Sequence, residues 1–163
     1  MKPVVRACIG LGANLGDAVA TLTRAVDVLA RREGVDLRAV SRFYRTPAWG
    51  REDQPDFINA AALLETSLAP RALLDLLLAI ESEFGRHRVE GERWGPRTLD
   101  LDLLLYGDRE VDEPGLRVPH PHLHERAFAL IPLLDVLPNA RIPGYGDARD
   151  AVSVLEMSNI HPL

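Results

Sequence analysis

One segment, Arg93 to Tyr106, constrains the fold more than any other, and it reads RWGPRTLDLDLLLY. A loop rich in arginine, glycine and proline leads here into a run of leucines that two aspartates interrupt. Successive side chains of a strand point to opposite faces of a sheet, so the pattern predicts a strand over Thr98–Tyr106. One face is expected to carry Leu99, Leu101, Leu103 and Leu105. The other is expected to carry Thr98, Asp100, Asp102, Leu104 and Tyr106.

The two aspartates allow two interpretations. Asp100 and Asp102 would lie about 7 Å apart along a strand, close enough to hold divalent cations between them. A strand with leucines in the core and aspartates in water would show the same alternation. Aspartate is depleted in strands, and Leu104 and Tyr106 share the aspartate face, so the pattern keeps both interpretations open.

Four arginines precede the aspartates, in a loop that also contains Glu90 and Glu92; they are Arg86, Arg88, Arg93 and Arg97. The planar guanidinium group matches phosphate oxygens in pairs. Carboxylates, divalent cations and arginines together are typical of phosphoryl transfer. The alternative for any single arginine is a surface ion pair with one of the glutamates, which contributes little stability.

The whole chain has the composition of one globular domain. It has 163 residues, 47% of them hydrophobic, so we expect residues 1–163 to form a single domain. The net charge of −5 argues against binding nucleic acid through charge. Cys8 is the only cysteine and cannot form an internal disulfide, which favours the reducing cytoplasm. No apolar run approaches the roughly 20 residues of a membrane span, so no membrane partner is expected.

Hydrophobic periodicity predicts an α+β fold in the order β-α-β-β-α-β. We expect Gly12 to Gly16 to be a turn and Asp17 to cap the first helix. The second helix is expected to start at Pro70. A mainly antiparallel sheet with the helices packed on one face follows from this order. The predicted strands cover Val4–Leu11, Val35–Arg45, Phe57–Glu65 and Thr98–Tyr106. From Glu113 onward the chain predicts a loop, a short helix around His124 to Leu134 and a weakly structured tail.

Two further clusters could bind ligands. His120, His122 and His124 alternate and could bind zinc, but Pro121 breaks regular geometry, and a phosphate-facing or exposed loop is the alternative. Phe57 and Asn59 share one face of their strand, where a ring and an amide could bind a flat heterocycle. The alternative is that Phe57 packs in the core.

Five motifs together resemble the 6-hydroxymethyl-7,8-dihydropterin pyrophosphokinase family. They are Gly10-Leu-Gly-Ala-Asn-Leu-Gly16, Phe43-Tyr-Arg-Thr-Pro47, Asp53-Gln-Pro-Asp-Phe-Ile-Asn59, Arg93-Trp-Gly-Pro-Arg-Thr-Leu-Asp-Leu-Asp102 and Val118-Pro-His120. The resemblance implies a ferredoxin-like βαββαβ core. It also implies magnesium-dependent transfer of pyrophosphate from ATP to the hydroxymethyl oxygen of the pterin, with release of AMP, in tetrahydrofolate biosynthesis.

The resemblance also implies a role for individual residues. Asp100 and Asp102 would bind two Mg²⁺ ions, and Arg86 and Arg97 would join them as catalytic residues. The ATP site would contain Glu81, Arg86, Arg88, Trp94, Arg97, Leu103, Arg117, His120 and Arg126. The pterin site would contain Thr46, Pro47, Trp49, Phe57, Asn59, Trp94, Asp100 and Phe128. ATP and the pterin would be the only partners of a monomeric, cytoplasmic enzyme.

Three other functions remain as alternatives. A two-metal phosphohydrolase could use the same aspartates. A split βαβ sheet can bind RNA on its open face, although the acidic charge argues against it. A pterin or nucleotide carrier would bind the same ligands without turnover.

Overall fold

The computed structural model describes residues 3–47, 55–85 and 99–163. It contains a large sheet, two small hairpins and four α-helices within those residues. In chain order the elements are β1 (Val5–Ala13), α1 (Ala18–Ala30), β2 (Val35–Val40), β3 (Tyr44–Thr46), β4 (Phe57–Thr66), α2 (Pro70–Glu83), β5 (Asp100–Tyr106), β6 (Val111–Glu113), β7 (Leu116–Val118), α3 (Ala127–Val136), β8 (Arg141–Ile142), β9 (Gly146–Asp147), α4 (Ala148–Ser153) and β10 (His161–Pro162). A short 3₁₀ helix at Leu123–Glu125 precedes α3.

The main sheet is antiparallel and has the strand order β10-β3-β4-β1-β5, with β2 also pairing with β4. The prediction of one strand over Val35–Arg45 was wrong, because Ser41 interrupts it. The backbone N–H of Ser41 donates to Ala61 O, and Ser41 Oγ accepts from Ala61 N, both at 2.8 Å. A side chain thus replaces a backbone carbonyl in the ladder, and β2 and β3 are two separate strands on one edge of β4.

The helices cover both faces of the sheet, which corrects the prediction of one covered face. The α1 and α2 helices pack on the first face around Ile9, Leu64 and Leu101, and this cluster is the larger core. The α3 and α4 helices pack on the second face around Cys8, Ala61 and Leu104.

A bulge in β5 changes which face its last residues occupy. The register with β1 shifts between Cys8, opposite Leu105, and Ile9, opposite Leu103. Leu104 and Leu105 therefore both pack in the second cluster, and Tyr106 joins the first. The predicted faces of Leu105 and Tyr106 were wrong, because a bulge inserts one residue and breaks strict alternation.

Local signals in the sequence place the ends of the two long helices correctly. The Asp17 side chain caps α1 by accepting from Ala20 N at 3.1 Å. Pro70 occupies the first turn of α2, where its missing N–H has no cost. Gly34 and Gly85, which follow the two helices, have φ angles of +86° and +82°, values that glycine adopts readily.

The last third is more ordered than the sequence predicts. Ala140, Ile142, Ala148 and Ala151 are buried in the second cluster, and β10 pairs with β3. These residues are small or isolated, so their burial gives no periodic signal. None of the helices in the described residues is long and apolar enough to cross a membrane.

Candidate functional site

Four residues, one from each of four neighbouring strands, form a row near one end of the main sheet. Tyr44 lies opposite Asn59, Asn59 opposite Gly12, and Gly12 opposite Asp100, so one residue from each of β3, β4, β1 and β5 takes part. Cross-strand partners project from the same face. The row therefore places an amide and a carboxylate on the two sides of a strand position that has no side chain.

Gly10 and Gly12 lie on β1 in the middle of this surface, and their missing side chains let Leu104 and Asn59 approach the strand closely. A Cβ atom on Gly12 would lie 2.9 Å from Asn59 Oδ1. Gly10 lies opposite Asp102 in the next row. The expectation that Gly12 belongs to a strand-to-helix turn was wrong, because β1 continues to Ala13. The spacing of two residues was the available signal, since it places both glycines on one face of a strand.

Asp100 and Asp102 are half-buried and alternate with the buried Leu101 and Leu103. The two aspartates therefore share one face, as the alternation predicts. Because β5 is the edge strand beside β1, the outer side of its backbone needs a partner other than a strand. Leu101 N donates to Glu81 Oε2 at 2.7 Å, and Glu81 is only 2% exposed. The buried carboxylate thus fixes the backbone between the two aspartates.

His120 lies close to this end of β5. Its backbone N–H donates to Leu104 O at 3.1 Å, and its ring Nδ1 accepts a long hydrogen bond, 3.4 Å, from His122 N. Burial first, then the charges of Arg126 and His122, lower the pKa of the ring to about 4, and the Asp100 carboxylate opposes them. The His120 ring is therefore neutral at physiological pH.

The opposite side of the site is built on β3 and β4. Asn59 Nδ2 donates to Thr46 Oγ1 at 2.9 Å, and both residues are buried. Phe57 lies opposite Thr46 in the ladder and is partly buried. Asn14, also buried, donates from Nδ2 to Pro55 O at 3.2 Å and so ties the end of β1 to the start of β4. The resemblance placed Thr46 in the pterin site, but the role of its hydroxyl as the partner of Asn59 was missed.

The remaining predicted residues differ in their surroundings. Phe128 is 36% exposed in the first turn of α3, with the Arg126 guanidinium 5.7 Å from its ring centroid. Arg117 is exposed and forms an ion pair with Asp112, with Nε 3.7 Å from Oδ1. The Leu103 side chain is buried in the first cluster, and Pro47 is exposed. Five predicted residues lie outside the described ranges, namely Trp49, Arg86, Arg88, Trp94 and Arg97.

The three alternating histidines do not form a shared metal site in the described part of the chain. His122 and His124 each lie beside Glu125, at 3.3 and 3.4 Å, and the His124 ring stacks on Tyr145 at 4.9 Å between centroids. No group of three or more His, Cys, Asp or Glu side chains that could hold a metal ion occurs among residues 3–47, 55–85 and 99–163.

We expect the Gly12→Ala variant to bind about tenfold more weakly the pterin that the family resemblance implies. The added Cβ would meet Asn59 Oδ1 at 2.9 Å, and moving the amide would break its hydrogen bond to Thr46. Gly10→Ala is the comparison, because there the Cβ meets only the end of the Leu104 side chain, at 3.3 Å. Titration with 6-hydroxymethylpterin would measure both affinities, and equal losses would contradict this account.

His120 should make stability depend on pH. Because its folded pKa of about 4 lies below the ordinary value of 6.5, the unfolded chain binds more protons between these values. Stability from the neutral ring is then present above about pH 6.5 and is lost as the pH falls towards 4. Since the ring is partly exposed, we expect a loss of no more than about 2 kcal/mol.

Urea unfolding at several pH values would measure this contribution. His120→Gln should flatten the pH dependence between 4 and 6.5, whereas the exposed His161→Gln should not. A wild-type pH profile that His120→Gln leaves unchanged would contradict the assigned pKa.

An antiparallel sheet with helices on both faces, and with two half-buried carboxylates and a buried amide on one face near its end, defines a small α+β protein with an acidic site. The family comparison is more specific. The chain belongs to the 7,8-dihydro-6-hydroxymethylpterin-pyrophosphokinase (HPPK) family, whose model matches residues 8–138.

Relatives with the same name agree with this assignment. The 2-amino-4-hydroxy-6-hydroxymethyldihydropteridine pyrophosphokinase of Methylorubrum extorquens is 43% identical over 157 residues, which are 96% of this chain and 98% of that protein. The enzyme of that name from Pseudomonas aeruginosa is 47% identical over 140 residues, 86% of this chain and 85% of that protein.

A solved structure supports the fold. A Plasmodium falciparum HPPK-DHPS triple mutant with SDX-DHP superposes with a TM-score of 0.73 over 93% of this chain. The sequences are 14% identical, so the match concerns the fold alone. This chain spans 44% of that longer protein.

Proposed function

We propose that the chain transfers pyrophosphate from ATP to 6-hydroxymethyl-7,8-dihydropterin and releases AMP, as a pyrophosphokinase of tetrahydrofolate biosynthesis. Membership of the HPPK family supports this reaction. The main structural support for assigning this reaction to the candidate site is the row of Asn59, Gly12 and Asp100 across three strands. An amide suited to a heterocycle and a carboxylate suited to a cation lie on either side of Gly12.

Asp100 and Asp102 would hold two Mg²⁺ ions. Mg²⁺ takes oxygen ligands and is usually bound by one or two carboxylates together with substrate phosphates, so a protein site with only two carboxylates fits this ion. Both side chains are half-buried on one strand face. The bound ions would neutralise charge on the phosphates of ATP.

The ATP would lie on the β5 side of the site. We assign to it Glu81, Leu103, Arg117, His120 and Arg126, together with Arg86, Arg88, Trp94 and Arg97 from the loop before β5. A neutral His120 ring whose Nδ1 accepts a hydrogen bond carries its proton on Nε2, which can donate to a phosphate oxygen. Arginines would bind phosphate oxygens in pairs, and Arg86 and Arg97 would stabilise charge during transfer.

The pterin would lie on the β3–β4 side, between the rings of Phe57 and Phe128. Partial exposure of Phe128 leaves a face of its ring available for stacking. Asn59 would hydrogen-bond the edge of the heterocycle, with its amide oriented by Thr46. Pro47, Trp49, Trp94 and Asp100 complete the proposed set.

Catalysis would then depend mainly on alignment. In-line displacement at phosphorus needs the hydroxymethyl oxygen held opposite the leaving AMP oxygen, and positioning supplies much of the rate enhancement. The row of residues across the sheet supports this arrangement, because the proposed pterin and cation positions are only two strands apart. Asp100 adjoins both substrates.

An assay of AMP formation tests the proposal. AMP should appear only when ATP, magnesium and 6-hydroxymethyl-7,8-dihydropterin are all present. Release of phosphate from ATP without the pterin would instead indicate a phosphohydrolase, and binding of both substrates without AMP would indicate a carrier. A shift of RNA mobility at low salt would support the nucleic-acid alternative.

The finer arrangement of the fold is also part of this proposal. We assign a ferredoxin-like βαββαβ core, in which β2 and β3 together count as the second strand, supported by the antiparallel order of the main sheet. Residues 1–163 would form one pyrophosphokinase domain, which acts as a cytoplasmic monomer on small molecules without binding nucleic acid or membranes.

A further inference from the structure

Asp135, near the end of α3, joins that helix to the first residues of β3. Its Oδ2 atom accepts from the Tyr44 hydroxyl at 2.6 Å and from Arg42 N at 3.2 Å. Asp135 is also the only residue of α3 with a polar side chain, since the helix reads AFALIPLLDV. The contact between α3 and the sheet is otherwise apolar, and apolar contacts specify position less strictly than directed hydrogen bonds.

The strand held by Asp135 contributes directly to the proposed pterin site. Tyr44 is buried and lies opposite Asn59 in the ladder. Thr46 is two residues further along, on the same strand face, and its hydroxyl orients the Asn59 amide. Fixing Tyr44 therefore fixes the strand that holds this amide.

The helix that carries Asp135 contributes the opposite wall. Phe128 lies in the first turn of α3, about 10 Å from Asp135 along the helix axis. Pro132 lies between the two residues and removes one backbone hydrogen bond of the helix, so the remaining hydrogen bonds of α3 connect the two positions. The hydrogen bonds at Asp135 therefore influence how far Phe128 stands from β4, where Phe57 begins the strand.

The Tyr44 hydroxyl is a donor throughout the physiological pH range. Burial first, and then the hydrogen bond to Asp135 and its negative charge, raise the pKa of Tyr44 to about 12. A hydrogen bond to a charged group is stronger than one between neutral groups.

We propose that Asp135 is a positioning residue for the pterin, which sets the spacing between the Phe128 wall and the Thr46–Asn59 wall through its hydrogen bonds to Tyr44 and Arg42. This inference rests on the proposed function, and it adds a residue that touches neither substrate. The adjoining β10 pairs with β3 through the backbone. Among the described residues, β10 forms no hydrogen bond with the Asp135 carboxylate.

Substitutions at both ends of the contact test this role. We expect Asp135→Ala and Tyr44→Phe each to raise the KM for the pterin about tenfold, while the KM for ATP changes less than about twofold. Asp135→Asn, which keeps an acceptor oxygen, should recover part of the loss. The double variant should be no worse than Asp135→Ala alone, because that substitution already removes the hydrogen bond to Tyr44.

A matched control and a binding measurement separate positioning from general destabilisation. Asp75→Ala removes an exposed aspartate in the middle of α2 and should leave both KM values unchanged. Affinity for 6-hydroxymethylpterin, measured by titration in the presence of a non-hydrolysable ATP analogue, should follow the KM for the pterin. If Asp135→Ala does not fold, Tyr44→Phe carries the test, since it removes a single oxygen atom.

The outcomes distinguish this inference from the proposed function. A wild-type chain that makes no AMP from ATP and the pterin overturns the proposed function itself. The positioning role alone is overturned if the wild type is active but Asp135→Ala and Tyr44→Phe leave the KM for the pterin unchanged. It is also overturned if these variants raise the KM values for the pterin and for ATP equally.

Discussion

Replacing Asp100 or Asp102 by asparagine is expected to lower kcat about 10³-fold, because each change removes a charge that would hold Mg²⁺ on the transferred phosphates. Asparagine has nearly the same shape as aspartate, and both positions are half-buried on one face of β5. The fold should therefore persist. Steady-state AMP formation would measure kcat, and circular dichroism with thermal unfolding would confirm the fold.

Asp108→Asn is the matched control for this loss. Asp108 is exposed and lies in the turn directly after β5, so the same chemical change there should leave AMP formation unchanged. Titration with magnesium adds a second measurement, because a weakened metal site should need more magnesium for half-maximal rate. Wild-type-like AMP formation by either site variant would falsify the metal assignment.

Glu81→Ala is expected to have the largest effect on stability, about 2–3 kcal/mol less free energy of unfolding. The buried Glu81 carboxylate accepts the Leu101 N–H at 2.7 Å, and its removal would leave that donor without this acceptor at the outer edge of β5. Because Leu101 lies between the two aspartates, kcat should also fall. Urea unfolding and AMP formation would measure the two losses.

Two further variants, Glu81→Gln and Glu83→Ala, test whether the buried hydrogen bond of Glu81 accounts for the loss of stability. Glutamine keeps an acceptor oxygen for Leu101 N, so it should retain most of the stability that alanine loses. Glu83 lies in the same helix but is exposed in an ion pair with Arg32, and such surface pairs contribute little. Equal destabilisation by Glu81→Ala and Glu83→Ala would show that the buried hydrogen bond has no special role.

The order of the elements could be predicted because each signal is local. Asp17 and Pro70 mark helix starts through their own backbone chemistry. The alternation from Leu99 to Leu103 marks a strand with two aspartates on one face. Such signals fail where a contact from elsewhere in the chain intervenes, as at Ser41, where the side chain pairs with Ala61 and divides the expected strand.

The features of the candidate site also fall into two groups, those with a local signal in the sequence and those that depend on distant contacts. The sequence identified the aspartates, Phe57, Asn59 and His120 by residue type and motif, since charge, aromatic character and spacing can be read along the chain. It did not reveal the buried hydroxyl partner of Asn59, the lowered pKa of His120, or the contact of Asp135 with Tyr44. Each of these depends on residues brought together from distant segments.

The sequence by itself therefore determined which chemical groups this protein can use and on which elements they lie. Only the tertiary structure decided that Asn59, Gly12 and Asp100 form one row, because strand register is set by pairing between segments that are far apart in sequence. It also decided the bulge that places Leu104 and Leu105 on one face of the sheet and Tyr106 on the other. The physical reason is that backbone periodicity is local, whereas burial, register and hydrogen-bond partners are properties of the packed chain.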